Sequence, residues 1–214
     1  MKKTYPQGNK ELLSMMEKRA VNSERAESII ASLEDVNAPI MDMYGCSTTY
    51  LCEAVRNICI DAVRLLLRYG ADPNANPPDL DYDCALWELA FISPEDNTPD
   101  AYSAAYEIAK LLFSAGAKPT LLIEGEVESL YDHVVYSLYN YEVIDGQMPY
   151  YLALYKLMIA YGTEDGNVYS LPKLEAKIDL SRIDDYQIRL FRSDDGYHVE
   201  GHMYDPKGND IGRL

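Results

Sequence analysis

One stretch of the chain, Thr48 to Ala75, constrains the fold more than any other part of the sequence. Gly70 lies near its end, where a left-handed backbone can terminate a helix at little steric cost. A single pair of helices cannot bury the apolar stripe that precedes this glycine, so neighbouring units must cover it. The stretch therefore predicts two helices, a tight turn and packed neighbours. The residues of the stripe recur at helical spacing: Ile60, Val63, Leu66 and Leu67.

The same pattern returns later in the chain with lower fidelity. Residues 109–117 (AKLLFSAGA) and 155–162 (YKLMIAYG) echo the end of the first stretch. The glycines Gly70, Gly116 and Gly162 are each separated by 46 residues. Upstream, the tetrapeptide DVNA ends 37 residues before the similar DPNA. This spacing predicts four units of similar plan, with approximate boundaries at 9–38, 45–75, 82–120 and 127–163.

The stretch from residue 48 to 75 resembles one complete ankyrin repeat, and a looser resemblance covers 9–163. It has a Thr-x-Leu start, a small-residue inner helix, an outer helix ending in Leu-Leu-Leu and a Gly-Ala-Asp-x-Asn-Ala turn. It departs from the family at Tyr50, Cys52 and Ile58, where the family has Pro, His and Gly. The matching residues are Thr49, Leu51, Ala54, Val63, Leu65, Leu66, Leu67, Gly70, Ala71, Asp72, Asn74 and Ala75.

The resemblance implies a mostly α fold, an ankyrin-repeat solenoid of about four helix-turn-helix units over residues 9–163. Beyond Gly162 the pattern changes, because residues 186–191 and 197–204 alternate with period two on either side of the turn sequence SDDG. Two alternating runs across such a turn indicate a β-hairpin. A hairpin alone is only marginally stable in water, so residues 164–214 are predicted to form a small C-terminal β-hairpin or α+β cap on the last unit.

The sequence contains no secretory signal and no run of about 20 apolar residues that would span a membrane. We therefore expect a cytoplasmic protein without a membrane partner. The four cysteines suit buried thiols in a reducing compartment. A zinc site is the alternative, but no Cys-x-x-Cys pair or nearby His supports it, so no metal or cofactor is expected. The cysteines are Cys46, Cys52, Cys59 and Cys84.

Negative charge is concentrated in the middle of the chain. Residues 41–170 carry 20 acidic and six basic side chains, which gives −14 of the formal net charge of −16. A solvated face that keeps the protein soluble is one interpretation. A docking surface for a basic protein is the other, with fast and salt-sensitive association. The same field would repel nucleic acid.

Tyrosine is frequent among these acids, with 19 in the chain, and it is enriched at the centres of protein interfaces. Trp87 lies at an inner-helix position, either in the core or as an anchor on the concave face. In ankyrin proteins the inner helices and the turns between units make most contacts, and the predicted insertions would add further acids. The predicted partner-binding residues are Asp79, Asp81, Tyr82, Asp83, Trp87, Asp96, Asp100, Glu124, Glu126 and Asp145.

Signals for catalysis are weak. His133 has no nucleophile near it in the sequence, and His198 and His202 would lie about 13 Å apart along one strand. The sequence therefore favours a non-catalytic protein–protein interaction module with an acidic, Tyr-rich concave and loop surface. An immunity-type inhibitor of a basic toxin or nuclease is the narrower alternative. An enzyme with its site in the C-terminal segment is the third.

Overall fold

A computed structural model gives the architecture of the protein. The chain divides into two compact units, Met1–Leu130 and Tyr131–Leu214. The predicted boundary between residues 163 and 164 stays a prediction, because residues 162–173 lie outside the described part of the chain. The structure describes residues 5–75, 84–91, 99–123, 126–130, 134, 147–161, 174, 176, 178–192 and 199–213.

The first unit combines helices with two short antiparallel hairpins. Its helices are α1 (Lys10–Glu17), α2 (Ser23–Ala31), α3 (Tyr50–Arg56), α4 (Ile60–Arg68), α5 (Ala85–Glu88) and α6 (Pro99–Ser114), and a 3-10 helix (Leu89–Phe91) follows α5. Its strands are β1 (Ile40–Met41), β2 (Ser47–Thr48), β3 (Thr120–Ile123) and β4 (Glu126–Ser129). β1 pairs with β2, and β3 pairs with β4.

Polar caps and an apolar core explain the position of these helices. The side chains of Asn9, Asn22 and Thr49 accept hydrogen bonds from backbone N–H groups in the first turns of α1, α2 and α3. Val63 and Leu66, from the stripe that the sequence indicates, are fully buried. Ile60 and Leu67, the other two residues of the stripe, are half-buried, so other elements of the unit cover the stripe only in part. Other leucines of this unit without solvent exposure are Leu12, Leu86, Leu112 and Leu130.

Helices α1, α3, α4 and α6 end in the same way. The second residue after each helix takes a left-handed conformation. Its N–H and the N–H of the following residue donate to carbonyls of the last helical turn. Gly70 (φ 86°) and Gly116 (φ 90°) hold this position after α4 and α6. Arg19 (φ 51°) and Ile58 (φ 52°) hold it after α1 and α3. Ile58 is buried, so the packing of its side chain offsets a conformation that β-branched residues rarely adopt.

An asparagine joins the turn after α2 to the turn after α4. The side-chain oxygen of Asn37 accepts from the N–H of Asp72 at 2.7 Å, and its Nδ2 donates to the carbonyl of Gly70 at 3.3 Å. Both backbone groups lie in a turn that leaves a helix, where carbonyl and N–H groups lack helical partners. The amide side chain therefore links the turn after α2 to the turn after α4 by bonding to backbone groups.

Asn74 forms the same kind of link to the turn after α6, and its replacement by Ala is expected to cost about 1–2 kcal/mol of unfolding free energy. Its Oδ1 accepts from the N–H of Lys118 at 2.8 Å, and its Nδ2 donates to the carbonyl of Gly116 at 3.0 Å. Asn74→Asp keeps the acceptor and loses the donor, so an intermediate loss is expected. Chemical denaturation measures both variants, and equal stability of Asn74→Ala and the wild type would contradict the link.

The described part of the second unit contains one long helix and a three-stranded sheet. Its elements are α7 (Gln147–Tyr161), a 3-10 helix (Leu180–Asp185), β5 (Gln187–Arg192), β6 (Val199–Tyr204) and β7 (Asp210–Arg213). The sheet is antiparallel with the order β5-β6-β7, and α7 packs against the 3-10 helix and β5. Lys156 of α7 donates to the carbonyl of Tyr186 at 3.2 Å. Within the described ranges no helix is both long and apolar enough to cross a membrane.

The predicted fold class, a mostly α ankyrin-repeat solenoid of about four units with a small C-terminal cap, is wrong. The chain has a mixed α+β fold, and the described part shows no solenoid of repeats. The predicted unit 127–163 begins inside strand β4, because residues 120–123 pair with 126–129 as a hairpin. The predicted unit 82–120 contains the four-residue α5 and the 16-residue α6, so its two helices differ fourfold in length. Similar glycine spacing thus arose from segments of different structure.

Candidate protein-binding surface

A tight turn between β1 and β2 presents two apolar side chains to solvent. We name this turn, Asp42–Cys46, the finger. Oδ1 of Asp42 accepts hydrogen bonds from the N–H groups of Tyr44 and Cys46, both at 2.8 Å. Gly45 has a φ of 85°, which glycine adopts without strain. The finger is therefore ordered by its own side chain, and it leaves Met43 42 % and Tyr44 80 % exposed.

The N-terminal segment fixes the base of the finger. Nε2 of Gln7 donates to the carbonyls of Met41 at 2.9 Å and Asp42 at 2.7 Å. Gly8 donates its N–H to the carbonyl of Met41 at 2.9 Å. A Cβ at Gly8 would lie 2.7 Å from Cδ1 of Ile40 and 3.0 Å from Cδ1 of Leu13, so a larger residue would have to displace these side chains. These contacts hold the turn against the body of the first unit.

Arg56, at the end of α3, gathers three carboxylates behind the finger. Its Nη2 and Nε donate to the two carboxylate oxygens of Glu88 at 2.7 and 3.1 Å, which is a bidentate pair. Its Nη1 donates to Glu53, one turn earlier on α3, and lies 3.8 Å from Oδ2 of Asp42. One guanidinium therefore faces three acids from three different elements. With all groups ionised, this cluster has a formal charge of −2.

Burial and neighbouring acids shift the pKa values of two groups here. Burial raises the pKa of Glu53, Arg56 acts in the opposite direction, and the charges of Asp42 and Glu88 raise it further. The hydroxyl of Tyr44 donates to Oε1 of Glu17 at 3.0 Å, and this hydrogen bond raises the pKa of the tyrosine. Tyr44 thus presents an exposed ring, and its hydroxyl is a hydrogen-bond donor to Glu17.

The chemistry of this site suits binding. We use the name finger site for the exposed tip of the finger together with the charged residues beside and behind it. Its members are Glu17, Asp42, Met43, Tyr44, Glu53, Arg56 and Glu88. In the described ranges no group of three His, Cys, Asp or Glu side chains could hold a metal ion. The site offers an exposed aromatic ring, an exposed thioether and the exposed carboxylate of Glu17. The carboxylates of Asp42, Glu53 and Glu88 lie behind them, buried or half-buried against Arg56. Such a surface can contact an apolar side chain and a cation together.

Most of the partner-binding residues predicted from the sequence fall outside the described ranges. Trp87 is 2 % exposed on α5, so its side chain packs in the core, which is one of the two alternatives that the sequence left open. Asp100 is exposed in the first turn of α6, where a negative charge favours the helix. The backbone of Glu126 lies in β4, but its side chain is outside the described part, as are Asp79, Asp81, Tyr82, Asp83, Asp96, Glu124 and Asp145.

Of the three histidines considered for catalysis, His202 alone lies in the described part of the chain. His202 lies on β6 with its Nδ1 2.7 Å from Oδ2 of Asp210 on β7. His133 and His198 lie outside the described ranges. An Asp–His pair can orient a general base, but such a base needs a substrate proton or a nucleophile within reach. The absence of catalysis stays a prediction.

The finger site was missed in the sequence because its acids are far apart along the chain. Asp42, Glu53 and Glu88 come from a turn and two helices, and only the fold brings them to Arg56. One local signal was present: an Asp at the first position and a Gly at the fourth indicate a type I turn. That signal would have placed Met43 and Tyr44 at an exposed tip.

Comparison with known proteins gives no assignment. Neither the protein-family models nor the curated proteins that were searched match this chain. The resemblance to the ankyrin family over residues 48–75 therefore stays a prediction.

Proposed function

We propose that this protein is a non-catalytic interaction module that binds a basic protein through the finger site. One observation carries the proposal: an ordered turn holds Tyr44 at 80 % exposure beside an excess of carboxylates. An isolated exposed apolar residue is ordinary, but an exposed Met and Tyr at a fixed tip form a continuous contact surface. The partner would place an apolar side chain on the Tyr44 ring and a cation near Glu17.

The order of the finger favours binding energetically. Immobilising a flexible side chain or loop costs about 0.5–1.5 kcal/mol per residue on association. The backbone of the finger is already fixed by Asp42 and by Gln7, so most of that cost is met on folding. Tyrosine adds a large contact area with few rotatable bonds. Tyr44 is therefore expected to be the main contributor to affinity.

Charge supports a basic partner in two ways. Locally, three carboxylates face the single guanidinium of Arg56, so the cluster keeps an excess of negative charge. Globally, the formal net charge of −16 would accelerate encounter with a positively charged protein and slow encounter with nucleic acid. An immunity-type inhibitor of a basic toxin or nuclease is the narrower form of this proposal, and the same charge favours it. A steep loss of association rate between low and physiological salt would support that form.

Binding can be measured with a defined probe, a fluorescein-labelled amphipathic peptide of alternating Arg and Leu pairs. Fluorescence anisotropy at physiological salt is expected to show that Tyr44→Ala weakens binding at least tenfold, which is about 1.4 kcal/mol. Glu17→Gln removes the carboxylate beside it, and a threefold to tenfold loss is expected. A peptide with Glu in place of Arg should not bind.

The chain offers a matched control for both variants. Tyr69 is also exposed, and its hydroxyl also donates to a glutamate, Glu27, at 2.9 Å. Tyr69→Ala and Glu27→Gln remove the same chemistry away from the finger, so they are expected to leave affinity within twofold. Equal losses for the two tyrosines, or no binding of the Arg-Leu peptide to the wild type, would contradict the proposal.

A reducing compartment, the cytoplasm, fits the thiols. None of the four cysteines, Cys46, Cys52, Cys59 and Cys84, forms a disulfide, and all but Cys46 are buried. Burial raises the pKa of Cys59, which keeps that thiol protonated and unreactive. We propose that the protein works where no oxidant converts Cys46 to a disulfide.

A further inference from the structure

Met43, at the tip of the finger, differs from the other described methionines in its exposure. The structure describes the side chains of six methionines, and Met43 alone among these six is exposed. A peroxide oxidises methionine by direct contact with the sulfur, so exposure selects the residue that reacts. We therefore expect Met43 to react before the other five. Those five are buried or half-buried: Met15, Met16, Met41, Met158 and Met203.

The order of the finger does not depend on the side chain of Met43. Asp42 accepts the N–H groups of Tyr44 and Cys46 on its carboxylate, and its own N–H donates to the carbonyl of Cys46 at 2.8 Å. None of these three hydrogen bonds involves Met43. An oxygen added to the sulfur of Met43 therefore changes the chemistry of the tip and leaves the backbone of the finger in place.

We propose that Met43 is a modification site, where a hydroperoxide forms methionine sulfoxide and thereby weakens binding at the finger site. This regulation rests on the function proposed above, because it acts through binding at the same surface. In the reaction an S–O bond forms and the O–O bond of the peroxide breaks. The sulfur loses two electrons and the peroxide gains them. The proton of the transferred oxygen passes to the leaving oxygen, so each hydrogen peroxide consumed yields one water and one sulfoxide.

The sulfoxide opposes binding because it is polar. In the reduced state the flexible, polarisable thioether gives the tip an apolar surface that adapts to a partner. The sulfoxide oxygen is hydrated, and an apolar side chain of the partner would displace that water without replacing its hydrogen bonds. The exposed carboxylate of Glu17 is unchanged. Oxidation therefore removes part of the apolar contact and keeps the attraction for a cation.

Cys46 is a second exposed sulfur in the finger, and its oxidation can be separated from that of Met43. A peroxide converts a thiol to a sulfenic acid or a disulfide, which dithiothreitol reduces. A methionine sulfoxide is reduced by methionine sulfoxide reductases instead. A loss of binding that survives dithiothreitol and is reversed by these reductases therefore belongs to methionine. In a reducing compartment such a change is reversible, yet it outlasts oxidation of the thiol.

Hydrogen peroxide is the probe for the test, applied to the full chain and followed by dithiothreitol. Tandem mass spectrometry without any partner is expected to show that Met43 gains oxygen at least about fivefold faster than Met15 and Met41, the two half-buried methionines. Anisotropy with the Arg-Leu peptide is expected to show about fivefold weaker binding after oxidation, with recovery after treatment with methionine sulfoxide reductases.

Met43→Leu is the matched variant, because leucine keeps an apolar side chain of similar volume and has no sulfur. Its affinity for the Arg-Leu peptide is expected to lie within about twofold of the wild type and to be unchanged by peroxide. An equal loss of binding in oxidised Met43→Leu would overturn the proposal, as would oxidation of Met15 or Met41 as fast as that of Met43.

The proposed function and its regulation fail by different results. If the Arg-Leu peptide does not bind the reduced protein, the proposed function of the finger site is wrong, and the weakening of binding falls with it. If the peptide binds the reduced protein and its affinity stays constant when Met43 is fully oxidised, the regulation alone is wrong.

Discussion

Replacing Arg56 by methionine is expected to lower the free energy of unfolding by about 3 kcal/mol, at the lower end of the cost of removing one partner from a buried ion pair. Arg56 is the common partner of three acids, two of which, Asp42 and Glu53, are buried. Methionine keeps much of the stem but leaves these carboxylates without their cation. The lower end applies because 37 % of the arginine side chain is exposed. Urea denaturation at neutral pH gives the difference.

The dependence on pH identifies the cause of that loss. Burial raises the pKa of Glu53, and Arg56 opposes the rise. In Arg56→Met the carboxyl of Glu53 should therefore stay protonated to a still higher pH. The attraction to Arg56 needs ionised carboxylates, so it is present at neutral pH and disappears as the pH falls and they protonate. The difference in unfolding free energy between Arg56→Met and the wild type should therefore shrink on acidification.

Arg64→Met is the control variant. It removes an exposed pair with Asp61 and should lower the free energy of unfolding by under about 0.5 kcal/mol. Equal costs for the two variants would contradict the buried cluster.

Ile58→Gly is expected to lower the free energy of unfolding by about 2–3 kcal/mol, even though glycine fits the backbone better. The left-handed conformation at φ 52° costs an L-residue roughly 1–2 kcal/mol, which glycine would recover. The greater backbone entropy of glycine in the unfolded chain removes up to about 1 kcal/mol of this gain. The side chain of Ile58 is only 5 % exposed, and removing such a side chain costs about 2–5 kcal/mol. Burial therefore outweighs strain.

Arg19→Gly is the matched control for this comparison. Arg19 has nearly the same φ, 51°, after α1, but its side chain is exposed. Its Nε donates to the carbonyl of Asn57 at 2.7 Å, and loss of this bond offsets part of the relief of strain. A change within about 1 kcal/mol is expected. If Ile58→Gly stabilised the protein as measured by thermal denaturation, packing at this position would be weaker than the structure indicates.

Local features of the fold were predictable because they depend on neighbours in sequence. Gly70 and Gly116 end helices where the sequence placed them, and Thr49 caps α3. Two of the three residues that depart from the ankyrin pattern, Tyr50 and Ile58, have individual explanations in the structure. Tyr50 is buried, and its hydroxyl accepts the N–H of Asn9 at 2.7 Å. Ile58 fills the core from a conformation that glycine would adopt more easily.

The global arrangement was not predictable, because similar local strings can belong to different structures. The glycine spacing suggested equal units, yet residues 120–123 and 126–129 form the antiparallel strands β3 and β4. The short apolar sequence TLLI, which begins and ends with a β-branched residue, could have indicated a strand, but the assumed helical period excluded it. The candidate site was missed for a related reason. Arg56 and Glu88 are 32 residues apart, and no sequence pattern joins them.

The most direct test of binding through the finger site is an NMR titration of the isotope-labelled protein with the Arg-Leu peptide. Amide resonances of Met43, Tyr44 and Cys46 and of Glu17 are expected to shift in proportion to occupancy. Those of Tyr69 and Glu27 should stay unchanged. Shifts confined to other parts of the chain, with the finger resonances constant at saturation, would contradict the proposal that this surface binds a basic partner.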